Sequence, residues 1–201
     1  MAPEGTAVAE GRDRPRKIVP TKLAHIVFRT TNKRPLLDWY CAVLNGRIVF
    51  ENTFIGFLTY DDEHHRVAAI EVPGLARPEH QERSQGPGLH HVAFTFADLA
   101  DLLGTYERLK ASEIRPVHCI NHGPTISMYY QDPDGNRVEL QIDTFPTMEE
   151  AAAWIESAEF AENPIGVDFD PDEFLARYRQ GVPEAELKKR PNIGPRGLPS
   201  R

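Results

Sequence analysis

Two stretches of this chain repeat one another, and that repeat narrows the architecture more than any other feature. Lys22-Leu23-Ala24-His25-Ile26-Val27-Phe28 aligns with Gly88-Leu89-His90-His91-Val92-Ala93-Phe94 at an offset of 66. The same offset carries Leu36-Leu37-Asp38-Trp39-Tyr40 onto Leu102-Leu103-Gly104-Thr105-Tyr106, and Ile48 onto Ile114. Further on, His65-Arg66-Val67-Ala68 matches Asn136-Arg137-Val138-Glu139 at an offset of 71, so the second copy carries five extra residues. Two copies of roughly 50 residues are too few for a solenoid. Each copy reads strand, amphipathic helix, then strands, so the expectation is an α+β fold of two paired βαβββ modules.

Local signals support that reading. Leu23–Phe28 and Leu89–Phe96 are short and rich in β-branched and aromatic residues, as strands are. Pro35–Leu44 and Leu99–Lys110 carry Leu, Trp and Tyr at helical spacing, and Asn45-Gly46 supplies a left-handed cap after the first. Ile126–Tyr130 and Arg137–Ile142 read as a hairpin joined by Asp132-Pro133-Asp134-Gly135-Asn136. The expected organisation is a disordered tail over 1–19, one domain over 20–145 with modules at about 20–73 and 87–145, and a helical extension over 146–201. In the extension, Thr147 and Glu150 form a capping box before a helix expected to run to about Phe160. Asp170-Pro171 opens a second helix that Gly181 can close. The apolar residues of the extension (Trp154, Ile155, Phe160, Phe174, Leu175) call for a surface, either as a docked arm or as a subunit contact.

Charge and composition exclude several function classes. The net charge is −7, and no basic stripe interleaves with aromatics, so nucleic acid is not an expected partner. No apolar run reaches the length of a membrane span, and Met1–Lys17 lacks the apolar segment of a secretory signal. A cytoplasmic protein is the expectation. Cys41 and Cys119 lack the spacing of a disulfide framework or zinc knuckle. One small domain with an apolar extension points to a homo-oligomer.

The eight histidines are the informative part of the composition. His25 and His91 occupy equivalent positions, each in the first strand of its copy, and a pseudo-two-fold axis would turn both toward one cleft. Glu139 lies in the last strand of the second copy between Val138 and Leu140, where a carboxylate is costly unless paired or bound to metal. A histidine on an apolar strand is ordinarily a satisfied core residue. Two at equivalent positions, with a carboxylate, make the facial triad of non-haem Fe(II) oxygenases, which leaves three metal positions open. Ala68, the repeat equivalent of Glu139, has no donor atom, so a symmetric four-ligand site is unavailable. His80 falls in a charged loop, and His90 is expected to face away from His91.

Leu-Ala-His-Ile-Val-Phe at 23–28, Leu-His-His-Val-Ala-Phe at 89–94 and Asp-Pro-Asp-Gly-Asn-Arg-Val-Glu at 132–139 resemble the vicinal oxygen chelate superfamily, the glyoxalase/bleomycin resistance/dioxygenase fold. Within it the chain is most similar to type I extradiol dioxygenases, in particular the short, one-domain enzymes acting on 2,3-dihydroxybiphenyl or catechol. The resemblance spans about Thr21 to Asp143. It implies Fe(II) on His25, His91 and Glu139, a catecholic substrate and dioxygen. It also implies that His65 is a general acid–base and that Tyr129, with His122 or His118, hydrogen-bonds the substrate oxygens. Strand alternation sets residue 65 on the opposite face from Ala68, so a bend or bulge must restore His65 to the pocket, or His64 takes its role. A metal-dependent glyoxalase or isomerase, or a non-enzymatic drug-binding protein, are the alternatives on this fold.

Overall fold

The register of four strands carries the repeat into three dimensions. In the computed structural model, which describes residues 18–75 and 87–197, β1 (Ile26–Thr30) pairs in parallel with β4 (Val67–Glu71), Val27 opposite Ala68. Equally, β5 (His91–Thr95) pairs in parallel with β8 (Arg137–Asp143), Ala93 opposite Glu139. These pairings preserve both offsets read from the sequence. The N-terminal tail to residue 17, the inter-module segment 76–86 with His80, and residues 198–201 lie outside the described residues.

Each module is built alike. A parallel pair needs a crossover connection, and the helices α1 (Lys33–Leu44) and α2 (Leu99–Ala111) lie on those crossovers. Asn45 takes the left-handed conformation at φ 51° and its N-terminal helix ends there, while the Asp98 side chain caps α2 by accepting from Asp101 N–H. Antiparallel strands complete the sheets: β2 (Arg47–Glu51) and β3 (Ile55–Thr59) in the order β1-β4-β3-β2, then β6 (His118–Asn121), β7 (Thr125–Gln131) and the short β9 (Val167–Asp168) in the order β5-β8-β7-β6-β9. Leu36, Leu37 and Tyr40 of α1 and Leu102, Leu103 and Tyr106 of α2 are buried with Leu58, Val67, Ala69, Met128, Val138 and Leu140 of the sheets. Glu139 and Ala68 sit between such residues in sequence and therefore point to the sheet faces away from the helices.

The extension docks on the second module. Its predicted first helix breaks in two, α3 (Met148–Ile155) and α4 (Ala158–Glu162), because Ser157 caps a new start by accepting from Phe160 N–H at 3.2 Å. Thr147 caps α3 by accepting from Glu150 N–H, with the Glu150 carboxylate accepting from the Thr147 hydroxyl at 3.1 Å, and the Asp170 cap of α5 (Pro171–Arg179) forms as read; α6 (Glu184–Lys188) follows. Between them β9 (Val167–Asp168) adds an antiparallel edge to β6, with Ile120 opposite Asp168. Phe174 and Leu175 enter the core, and Tyr106 donates to Asp172 at 2.6 Å. No helix among the described residues is long and apolar enough to cross a membrane.

The two modules are tied by Asp132 of the β7–β8 turn, which is 4% exposed. One of its oxygens accepts from Asp134 N–H and Asn136 N–H, and the other from the Asn136 side chain at 2.8 Å and from Tyr40 O–H of α1 at 3.1 Å. Burial raises its pKa, and these four donors oppose that rise. The Tyr60 ring meets Phe94 edge-on at 5.9 Å, and Arg108 donates to the Ala42 carbonyl. Replacing Tyr40 by Phe removes one donor from a buried carboxylate, so stability should fall by about 1 to 2 kcal/mol. Urea unfolding should show a lower midpoint at unchanged slope.

Candidate active site

Directly paired residues share a sheet face. On the face of the second sheet turned away from α2, Ala93 pairs with Glu139, Glu139 with Tyr129, and Tyr129 with His118. His91, two residues before Ala93, joins them by strand alternation. His91 Nε2 stands 2.9 Å from Glu139 Oε2, and Glu139 is only 4% exposed. Two donors at about 2.1 Å in neighbouring positions of an octahedral ion stand about 3.0 Å apart, and 2.9 Å is also the length of a hydrogen bond between an imidazole N–H and a carboxylate. The pair is closed by a hydrogen bond and has N/O chemistry and spacing compatible with two ligands of an octahedral divalent metal.

His25 does not join that pair. It stands at the equivalent sequence position but one residue before β1 rather than within the strand, with its ring 4.4 Å from that of His65 and 6.4 Å from that of His64. Among the described residues no three His, Cys, Asp or Glu side chains gather closely enough to hold one ion. The structure thus brings together His91 and Glu139 of the expected triad and leaves His25 on the other module.

His65 lies on the Ala68 face, for a reason strand alternation alone does not supply. Strand β4 begins only at Val67, so residues 61–66 form a turn and alternation does not run through His65. Its ring stacks on Phe57 at 4.4 Å, and Phe57 pairs directly with Ala68. His64 Nδ1 lies 2.6 Å from His65 Nδ1. Burial lowers the His65 pKa, and His25 and His64 push the same way.

The two histidines near Tyr129 have different partners. His122 Nε2 is 3.0 Å from the Tyr129 hydroxyl, and its Nδ1 is 2.5 Å from the Ile165 carbonyl. A carbonyl only accepts, so Nδ1 carries the proton and Nε2 of the neutral ring accepts from Tyr129. Burial lowers the His122 pKa. Burial also raises that of Tyr129, and the Glu139 carboxylate adds to the rise. His118 instead holds Asp168 of β9 at 2.8 Å, and Arg196 grips the same carboxylate at 3.0 Å. His90 does not face away from His91: their Nδ1 atoms are 2.6 Å apart, and Arg137 reaches His90 Nε2 at 3.3 Å.

The family model for the Glyoxalase/Bleomycin resistance protein/Dioxygenase superfamily matches residues 22–140. The chain belongs to this superfamily. Biphenyl-2,3-diol 1,2-dioxygenase 2 of Rhodococcus globerulus is 48% identical over 75% of this chain and 77% of its own. Biphenyl-2,3-diol 1,2-dioxygenase 3 of the same organism is 44% identical over 86% and 90%. Both relatives are named as dioxygenases acting on biphenyl-2,3-diol. The crystal structure of a glyoxylase/bleomycin resistance protein/dioxygenase domain from Frankia sp. EAN1pec superposes with a TM-score of 0.50 at 15% identity, covering 62% of this chain and 99% of that one. That likeness concerns the fold.

In this superfamily member the residues that sequence reasoning missed are partners rather than principals. Ile165 and Arg196 act on the site through the extension, and Asp168 through a two-residue strand. The one available signal was the need of each histidine for a partner on its second nitrogen, which does not say where in the chain that partner lies. The lowered His122 pKa has a thermodynamic consequence. The unfolded histidine titrates near 6.5 and the folded one below it, so the unfolded state binds more protons as pH falls through about 6.5. Stability from this group is present above that pH and lost below it. His65 and His90 shift in the same direction. Unfolding free energy measured by urea should therefore decline from pH 7.5 to 5.5, and His122→Gln should flatten part of that slope.

Proposed function

We propose that this chain catalyses Fe(II)-dependent extradiol cleavage of a catechol-type aromatic diol by dioxygen, with 2,3-dihydroxybiphenyl as the leading substrate. The carrying observation is the His91–Glu139 pair at 2.9 Å with the Tyr129–His122 hydrogen bond on the same face. The 44% and 48% identities to two enzymes named biphenyl-2,3-diol 1,2-dioxygenase support the same reading. His91 and Glu139 would hold the iron, with His25 as the third ligand on the strength of its equivalence to His91 in the repeat. When bound, Fe(II) supplies one-electron chemistry toward dioxygen and open positions for both diol oxygens.

The remaining steps belong to the chain. Tyr129 is within reach of Glu139 and offers its hydroxyl to a substrate oxygen beside the metal. His122, neutral because it is buried, takes up a proton at Nε2 through Tyr129 and returns it. His65, stacked on Phe57 beside His25, serves as general acid–base from the first module. Its lowered pKa keeps a share of the rings neutral at neutral pH. Phe57 and Phe50, whose rings lie 5.5 Å apart, give that side an apolar aromatic wall for the substrate ring. His118, held by Asp168, takes no part in this reading.

The test is anaerobic loading with Fe(II), then air and 2,3-dihydroxybiphenyl or catechol, following the yellow ring-fission product and oxygen uptake. One oxygen consumed per diol with yellow colour is the expected result. Tight iron binding without colour on either diol would overturn the substrate class. Glu139→Gln should abolish iron retention, and a variant that keeps full iron content and activity would remove Glu139 from the ligand set.

A further inference from the structure

We propose that the C-terminal extension is part of the active site, with Arg190 as the positioning residue that keeps His122 in the tautomer protonated at Nδ1. The proposal assigns a role to residues beyond the superfamily match, which ends at residue 140. It rests on the reading of His122 as the proton acceptor for Tyr129.

Arg190 is 7% exposed, and its guanidinium bridges the two pieces of backbone that must stay in register. One nitrogen, Nη1, donates to the His122 carbonyl at 3.3 Å and to the Asn163 carbonyl at 2.6 Å. The other, Nη2, donates to the Glu159 carbonyl at 3.1 Å. The same atom therefore holds the loop that carries His122 and the turn that carries Ile165. That turn is itself fixed by Asn163, whose side-chain oxygen accepts from Ile165 N–H at 3.2 Å and Gly166 N–H at 2.7 Å. The Asn163 amide donates back to the Gly166 carbonyl at 3.1 Å.

The guanidinium lies 4.6 Å from the Trp154 ring, so α3 is held by the same side chain. Trp154 in turn covers Gly123, the residue after His122, at a left-handed φ of 101° where a Cβ would fall inside the indole. Gly166 takes φ 111°, and a Cβ there would fall against the Asn121 carbonyl and the His122 α-carbon, so again there is no room for one. Two glycines thus let the extension approach the His122 loop at backbone contact distance. The Ile165 carbonyl is the product of that approach. It accepts the Nδ1 proton, and which nitrogen of a histidine is protonated follows from the bond the other nitrogen makes.

The experiment reads the tautomer directly. Imidazole 15N shifts of His122 in the full-length, metal-free chain should report protonation at Nδ1. Arg190→Met and Asn163→Ala, checked for folding by circular dichroism, should move those shifts toward the Nε2-protonated or averaged form, while the His90 and His91 signals stay. Arg190→Lys should restore part of the wild-type spectrum. In the iron-loaded enzyme, Arg190→Met should lower kcat by about 10- to 100-fold with KM for 2,3-dihydroxybiphenyl changed less than about threefold. A wild-type His122 protonated at Nε2 overturns the proposal even if neither variant folds. So does a folded Arg190→Met with a wild-type His122 spectrum, whatever its activity. A wild-type enzyme that shows the Nδ1 tautomer yet cleaves no diol would leave the positioning role standing and remove the dioxygenase reading.

Discussion

The parallel pairing of the first and last strands of each module is the constraint on which the rest depends. It sets residues far apart in sequence, 93 and 139, directly opposite one another. It also decides the face on which a single carboxylate emerges. A slip of one residue between β5 and β8 would turn Glu139 toward α2, among Leu102, Leu103 and Tyr106, with no partner for its charge. In the observed register it meets His91 Nε2 instead. The helix faces of the sheets, packed with Leu, Val and aromatic side chains, make the slipped register costly. Core packing therefore maintains the polar face indirectly, by fixing which residues point away from it.

The same scaffold used twice yields two unlike faces. Glu139 corresponds to Ala68, Tyr129 to Phe57 and His118 to Phe50, each by matching strand register. The second module thus presents carboxylate, phenol and imidazole where the first presents methyl and phenyl groups, and only the histidine at the head of each module, His25 and His91, is kept in both. An isomerase that binds its metal through four protein ligands would want a donor at 68, and an alanine methyl has none. The asymmetry instead suits a substrate with one polar edge and one apolar body, which is the shape of an aromatic diol.

What the sequence made legible follows from how locally each feature is encoded. The repeat, the hairpin at 132–136 and the caps at Asn45, Thr147 and Asp170 depend on residues within a few positions of one another, and each formed. His91 and Glu139 were legible as neighbours, but the repeat also called for His25 in the same cleft, and equivalence within a module does not report how the two sheets are set against each other. Three further features escaped for three different reasons. The face of His65 is set by where β4 begins, and a period-two pattern cannot report that. The break at Ser157 rests on one hydroxyl inside an otherwise helical run. The choice between His118 and His122 depends on Asp168 and Ile165, more than 40 residues downstream, and β9 at two residues carries no periodicity to announce them.

The chemistry of Arg190 separates stability from placement. Burial lowers its pKa, so the surroundings oppose the charge rather than welcome it. Its close partners are three backbone carbonyls, with the nearest carboxylate oxygen, on Glu159, at 3.8 Å. Its Nε has no partner among the described residues. A cation held this way is weak evidence of net stabilisation, because an apolar side chain of similar volume can pack as well without the desolvation cost. What an apolar replacement cannot do is hold two carbonyls, one from the His122 loop and one from the extension, on a single atom. Loss of that atom leaves the helices free to pack but no longer ties the Ile165 carbonyl to the His122 ring. Thermal stability is then a poor measure of what Arg190 contributes, and the protonation pattern of one imidazole a sensitive one.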